Sequence, residues 1–302
     1  MYPPRFDYSA PASLPEALSE LARLGEDGRV LAGGQSLIPM MKMRLASPTH
    51  LVDINRIPEL SYIRRDNGHL AIGALARHAD IVTSPLVPEA SAIMADAAPW
   101  IADPLVRNRG TLCGSVAHCD PEGDWNSVML AVGASVVAVS QEGERVIPIA
   151  DFVVDFFTNS LQPGEMVKEV RVPVPTAAAG GAYIKLERKI GDYATVGVAT
   201  HLELDDQGKI SGAGIGLTSV HTCNMKAYAA EAILMGQTPS DELFAEAAEA
   251  AARGCAPDSD VRGPAEFKQA VVREYTKRGL ARALAVAQGG RASGPPQVER
   301  EG

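Results

Sequence analysis

Four cysteines are all that this 302-residue chain contains, and no two of them form a Cys-x-x-Cys pair. Cys113, Cys119, Cys223 and Cys255 therefore write neither a local zinc site nor an iron–sulfur cluster. An N-terminal apolar leader is missing too; with so few cysteines, this points to a reducing, cytoplasmic setting. Long hydrophobic runs are also lacking. The longest, near Val128 to Val139, is interrupted by Gly133 and is too short to span a bilayer. Nor is there an excess of basic charge: 28 Lys and Arg stand against 37 Asp and Glu, and the net charge of −9 argues against nucleic acid or an anionic membrane as partner. A Rossmann fingerprint is incomplete as well. Gly212-Ala213-Gly214-Ile215-Gly216 would need another glycine at 217, where Leu217 stands, and a helix directly after it. Small residues alternating with Ile210, Ile215 and Leu217 fit a packed strand instead.

What is present begins with two glycine-rich turns. Ala32-Gly33-Gly34-Gln35-Ser36 follows the apolar Val30-Leu31, and Thr111-Leu112-Cys113-Gly114-Ser115 has the same grammar about 80 residues later. Glycines let a backbone approach a ligand closely, and N–H groups ahead of a helix start suit phosphate oxygens. Two such loops suit a diphosphate held from both sides, hence a dinucleotide bound by a route other than Rossmann.

Length and a 46% hydrophobic content predict about two globular domains. Ser13-Leu14-Pro15-Glu16 reads as a capping box opening a helix whose face carries Leu14, Leu18, Leu21 and Leu24, ended by Gly25. With strands at Val30-Leu31 and Leu51–Ile54, this gives a small α/β unit over about residues 1–57. Further strands are expected at Leu70–Ala74, Ser135–Val139 and Glu169–Val172, and a helical turn at Arg77–Val82. The small-residue segment Thr176–Gly181 is the expected domain boundary. Beyond it, strands Gly197–Leu204 and Ile210–Leu217 flank the hairpin turn Asp205-Asp206-Gln207-Gly208. Helices follow at Asp241–Arg253 and from Pro264 to about Gln288, an α+β order.

Other motifs carry less. In His118-Cys119-Asp120, adjacent residues cannot all face one metal, and an incidental cluster is the better reading. Asp124, just past the second loop, reads equally as a solvated loop aspartate or as an acceptor for ribose or ribityl hydroxyls. The charged run Lys185–Ala194 reads as a solvated turn in which Tyr193, beside small residues, suits the face of an aromatic ligand.

On these residues, together with Arg107-Asn108-Arg109-Gly110-Thr111, Asp120-Pro121 and Pro257–Phe267, the chain resembles the FAD-binding medium subunits of molybdenum hydroxylases. Within that xanthine dehydrogenase group it looks most like the medium subunits of aerobic carbon monoxide dehydrogenases, over about residues 1–286. The resemblance implies an α+β fold: a two-subdomain FAD-binding domain of the PCMH or vanillyl-alcohol-oxidase type over residues 1–176, with subdomains of about 1–57 and 58–176. A C-terminal α+β domain with an antiparallel sheet and helices follows over 177–287, then a disordered tail at 288–302. It also implies that both glycine loops embrace the FAD diphosphate, that Asp124 lies near the sugar and ribityl hydroxyls, that Ile101, Val167 and Lys185 belong to the pocket, and that Tyr193 lies near the isoalloxazine. One departure stands out. Where the family commonly has Gly-Gly in the second loop, this chain has Cys113-Gly114, so Cys113 must adopt a φ that tolerates a side chain, or the loop must shift.

The function implied is electron transfer inside a heterotrimer, in a dimer of heterotrimers. A large subunit with a molybdopterin cofactor oxidises the substrate, a small subunit carries two [2Fe-2S] clusters, and FAD in this chain passes electrons to a quinone or another acceptor. The complex would be cytoplasmic, with a peripheral position at the inner face of the membrane as the variant. No acid–base catalytic residue and no metal ligand is assigned here. Carbon monoxide is the first substrate expected, with an aldehyde, a purine or another N-heterocycle as alternatives. A stand-alone flavoenzyme resembling UDP-N-acetylenolpyruvoylglucosamine reductase and a flavin-free nucleotide-binding scaffold are the other readings, and the C-terminal likeness speaks against the former.

Overall fold

A computed structural model describes residues 2–290; most of the expected tail lies outside the described residues. The first helix, Leu14–Leu24, forms as its capping signals dictate: the Ser13 hydroxyl accepts from the Glu16 N–H, proline sits in the first turn, and Ala17, Leu18 and Leu21 are buried. That face covers a three-stranded parallel sheet made of β1 (Asp7–Ser9), β2 (Gly28–Leu31) and β3 (His50–Asp53), in the order β1-β3-β2. Strand β1 escapes the sequence reading because three half-exposed residues are too short to show a period.

The second subdomain is an antiparallel sheet. Its strands are β4 (Ile63–Asp66), β5 (His69–Gly73), β6 (Ser135–Ser140) and β7 (Gly143–Pro148), then, after the short hairpin of β8 (Val153–Asp155) and β9 (Thr158–Asn159), β10 (Met166–Pro173). The order is β4-β5-β10-β6-β7. Strand β10 lies at the centre, with Val170 opposite Ile72 on one side and Val136 on the other. All three are fully buried and share one core with Trp125, Val128 and Phe152.

The C-terminal sheet comprises β11 (Ala178–Leu186), β12 (Val196–Leu204), β13 (Ile210–Thr218) and β14 (Met225–Lys226), in chain order and antiparallel. The expected hairpin turn closes through Asp205, whose N–H donates to Lys209 O at 2.8 Å while its carbonyl accepts from the Gly208 N–H. Two faces of this sheet are buried, and β12 shows why. Val196, Val198, Leu202 and Leu204 point to the helices Asp241–Gly254 and Ala265–Ala287, whereas Ala199 between them joins the core of the second subdomain. The helices Ala92–Ala97 and Asp124–Ala131 cover that second face.

The small-residue stretch expected at the domain boundary, Thr176–Gly181, runs from Ala178 onward into β11. Gly180 and Gly181 serve close packing there: a Cβ on Gly180 would stand 2.0 Å from Ala283 O, and one on Gly181 2.6 Å from Ile93 Cβ. Composition alone does not separate a tight strand from a loose linker.

Candidate functional site

A single cleft of about 970 Å³ runs between the two N-terminal subdomains and reaches the first strand of the C-terminal sheet. It lies at the upper end of the roughly 300–1,000 Å³ typical of small-molecule sites, as an elongated dinucleotide requires. Every residue expected at the site borders it except Leu112, whose side chain is fully buried in the core.

Ala32 to Ser36 leave β2 and enter the short helix Leu37–Lys42. Among the described residues, the N–H groups of Gly33, Gly34, Gln35 and Ser36 donate to no partner, so they are available as a cradle for anionic oxygens. Gly33 is required by the neighbouring subdomain: its Cβ would stand 2.4 Å from Arg109 O and 2.7 Å from Gly110 Cα. The first loop thus rests on the residues leading into the second.

Thr111 opens the helix Leu112–His118, its hydroxyl accepting from the Gly114 N–H at 3.1 Å. The Leu112 N–H donates to Ala76 O, and Gly110 O accepts from the His78 N–H at 2.9 Å, so the loop is pinned from behind. Cys113 causes no shift. It lies in the first turn of that helix at negative φ, and its Sγ donates to Ile72 O at 3.3 Å within the core. Burial raises its thiol far above the ordinary range, so it is an inert core residue. The cradle therefore fits a diphosphate on its own backbone geometry.

Further along the cleft, Ile101 and Val167 are buried walls. Asp124 begins the helix Asp124–Ala131 and is almost completely buried. Its Oδ1 accepts from the Tyr183 hydroxyl at 2.5 Å and its Oδ2 from Lys185 Nζ at 3.0 Å. Burial raises the affinity of this carboxyl for a proton, and the Lys185 ammonium with both hydrogen bonds opposes that rise. Each oxygen keeps a further lone pair for a ligand hydroxyl. Lys185 also donates to Trp100 O at 3.3 Å and stands 3.4 Å from Glu187 Oε2. Glu187 Oε1 in turn accepts from the Gly191 N–H, which folds the charged 187–193 segment over the end of the cleft. That segment carries Tyr193, half exposed, with its phenol pushed up to about 12 by burial and by Asp120. The run read as a solvated turn therefore begins in β11 with a buried lysine.

Several cleft residues escape the sequence reading. His118 and Asp120, set aside as incidental, both border the cavity, with Nε2 and Oδ2 3.9 Å apart, and His118 packs on Phe157 at 4.8 Å between ring centroids. His78 lines it too, buried under the second loop. A lone histidine or phenylalanine carries no spacing signal, so only the fold reveals them.

Comparison with known proteins agrees with this geometry. Residues 4–175 match the family described as the FAD binding domain in molybdopterin dehydrogenase, and residues 181–283 match the CO dehydrogenase flavoprotein C-terminal domain. The chain is 43% identical to the 6-hydroxypseudooxynicotine dehydrogenase complex subunit alpha of Paenarthrobacter nicotinovorans, over 94% of this chain and 96% of that protein. It is 41% identical to the carbon monoxide dehydrogenase medium chain of Hydrogenophaga pseudoflava, over 93% and 97% of the two. A solved carbon monoxide dehydrogenase from Hydrogenophaga pseudoflava, lacking the Mo-pyranopterin moiety of its molybdenum cofactor, superposes with a TM-score of 0.91 at 44% identity, covering 94% of this chain and 99% of that one. Two domain matches that together span nearly all the described residues, and relatives aligned along almost their whole length, lead to one statement: this chain belongs to the family of FAD-binding subunits of molybdopterin dehydrogenases, oxidoreductases of the carbon monoxide dehydrogenase type.

Proposed function

We propose that this chain is the FAD-carrying electron-transfer subunit of a heterotrimeric molybdenum hydroxylase, assembled as a dimer of heterotrimers. The observation that carries the proposal is the cleft itself, where unpaired N–H groups of Gly33 to Ser36 face a second glycine loop from another subdomain. Residues 32–36 and 111–115 hold the diphosphate, Asp124 orients hydroxyls of the sugar or ribityl chain, and Ile101, Val167 and Lys185 form the walls. Tyr193, at the end of the cleft, presents its ring to the flavin. The boundary near residue 176 separates this FAD domain from the C-terminal unit. FAD held by these residues would supply the redox chemistry, a relay between two [2Fe-2S] clusters of a small subunit and a quinone or another acceptor. This chain's own residues bind, orient and shield; none is assigned a proton transfer.

Substrate oxidation belongs to the large subunit with its molybdopterin cofactor. For carbon monoxide the reaction is CO + H2O → CO2 + 2H+ + 2e−, and the 41% identity to a carbon monoxide dehydrogenase medium chain supports that reading. The 43% identity to a subunit of a 6-hydroxypseudooxynicotine dehydrogenase supports the alternative of an N-heterocyclic substrate. A stand-alone reductase is disfavoured by the match of residues 181–283 to a carbon monoxide dehydrogenase flavoprotein domain. Denaturing the native complex is expected to release about one FAD per copy of this chain. FMN alone, or a folded complex without flavin, would overturn the assignment. Assays of that complex with carbon monoxide and with hydroxylated pyridines separate the two substrate readings.

A further inference from the structure

The two glycine loops belong to different subdomains, and a small set of side chains behind them crosses the seam. Asn55, just after β3, donates from Nδ2 to Ala32 O at 2.8 Å and to Asp53 Oδ1 at 2.6 Å. Its Oδ1 accepts from an Nη2–H of Arg77 at 2.5 Å, and Arg77 Nη1 donates to Arg109 O at 2.5 Å. The amide can face only one way, because the two acceptors require its NH2 and the guanidinium requires its oxygen. Arg109 O is also the atom a Cβ on Gly33 would strike first. The contact between the loops and the bridge behind them therefore meet at one carbonyl. Arg77 is held in turn at its own N–H by Asp80 Oδ2 at 2.8 Å, and neither Arg77 nor Asn55 borders the cleft.

We propose that Arg77 and Asn55 are a positioning pair that fixes the separation of the two glycine loops and thereby sets how long FAD stays bound; this rests on the assignment of those loops to FAD. Arginine suits the task because its planar fork reaches two acceptors at once, one on each side of the seam. Lysine carries all its donors on one nitrogen at the end of a flexible stem and lacks the planar fork that reaches across the seam. Without the fork, the loop after β2 is free to move away from the 107–110 segment, and each loop keeps its own contacts without their mutual register.

The test measures FAD dissociation from the native complex after dilution, by recovery of flavin fluorescence, in wild type, Arg77→Gln, Asn55→Ala, the double variant and Arg77→Lys. Loss of charge-assisted hydrogen bonds predicts release at least about tenfold faster in each single variant. The double variant should be no faster than the faster single, since the pair acts as one unit. Arg77→Lys should not restore retention. Wild-type release rates in Asn55→Ala, additive losses in the double variant, or rescue by lysine would each overturn the proposal. Should Arg77→Gln not fold, Asn55→Ala alone decides, because it removes only the side-chain amide. Absence of FAD from the wild-type complex is a different failure: it would sink the FAD assignment itself rather than the bridge.

Discussion

His78 shows how much a single residue under the second loop can report. Its Nδ1 accepts from Trp125 Nε1–H at 3.1 Å, so the ring is neutral with its proton on Nε2. Burial, with the nearby cations Arg107 and Arg77, lowers its pKa from 6.5 to about 4. The unfolded chain binds this proton below about pH 6.5 while the folded chain refuses it until about pH 4, so stability is complete above 6.5 and is lost as the pH falls through that window. The loss is on the order of 3 kcal/mol over the full window. His118, also lowered by burial, adds in the same direction. Glutamine at 78 keeps an acceptor for Trp125 and does not titrate; His78→Gln should flatten the decline in urea midpoint between pH 7 and pH 4.5, and an unchanged slope would assign the decline to other groups. The sequence made the glycine loops legible because they break apolar runs with residues of one function. His78, Arg77 and Asn55 were not legible, since a histidine, an arginine and an asparagine in polar stretches match countless solvated positions. Asp124 lay between: its place after the loop was readable, but its partners Tyr183 and Lys185 come from a strand about 60 residues on, a pairing that only tertiary structure makes.

Among the elements, β13 and the helix Asp124–Ala131 form the joint between the FAD-type domain and the C-terminal sheet. The Gly-Ala-Gly-Ile-Gly run, readable as a packed strand rather than a nucleotide loop, is β13, and the packing explains its composition. A Cβ on Gly216 would stand 1.9 Å from Ser127 O, so the helix backbone lies directly on the strand. Across the same joint, Thr218 Oγ1 donates to Ser127 Oγ at 2.6 Å. Gly216→Ala must separate these elements and should cost at least about 3 kcal/mol. Gly212, at the outer end of the same strand, has Glu203 side-chain carbons, not a backbone oxygen, as its nearest neighbours, at 3.2 Å, and Gly212→Ala should stay within about 1 kcal/mol. Thermal unfolding of both variants checks the contrast; equal losses would mean that strand entropy, not the joint, governs the glycines. Because the helix begins with Asp124, the Gly216 variant should also loosen the Asp124–Lys185 pair and weaken flavin retention.

For the whole molecule, the proposed function separates holding a cofactor from transforming a substrate. The cleft between the two subdomains is long and lined by backbone N–H groups, small residues and one buried ion pair, which suits a dinucleotide. Among the described residues, no three His, Cys, Asp or Glu side chains are placed to hold a metal ion, and no helix is long and apolar enough to cross a membrane. Of the titratable residues that border the cleft, Asp120 and Tyr193 lie against each other, His118 stands beside Asp120, and His78 and Asp124 are buried. On the proposed function, substrate chemistry belongs to the other subunits. Isolated chain is therefore expected to bind FAD and to be reducible by dithionite, yet to leave carbon monoxide, aldehydes and N-heterocycles unoxidised with an artificial electron acceptor. The native complex should oxidise at least one of them, and removing FAD from it should abolish transfer to the physiological acceptor while an acceptor that draws directly on the clusters still turns over. Substrate oxidation at full rate by this chain alone, free of molybdenum and iron, would place the chemistry in this cleft and require a base among its titratable lining residues.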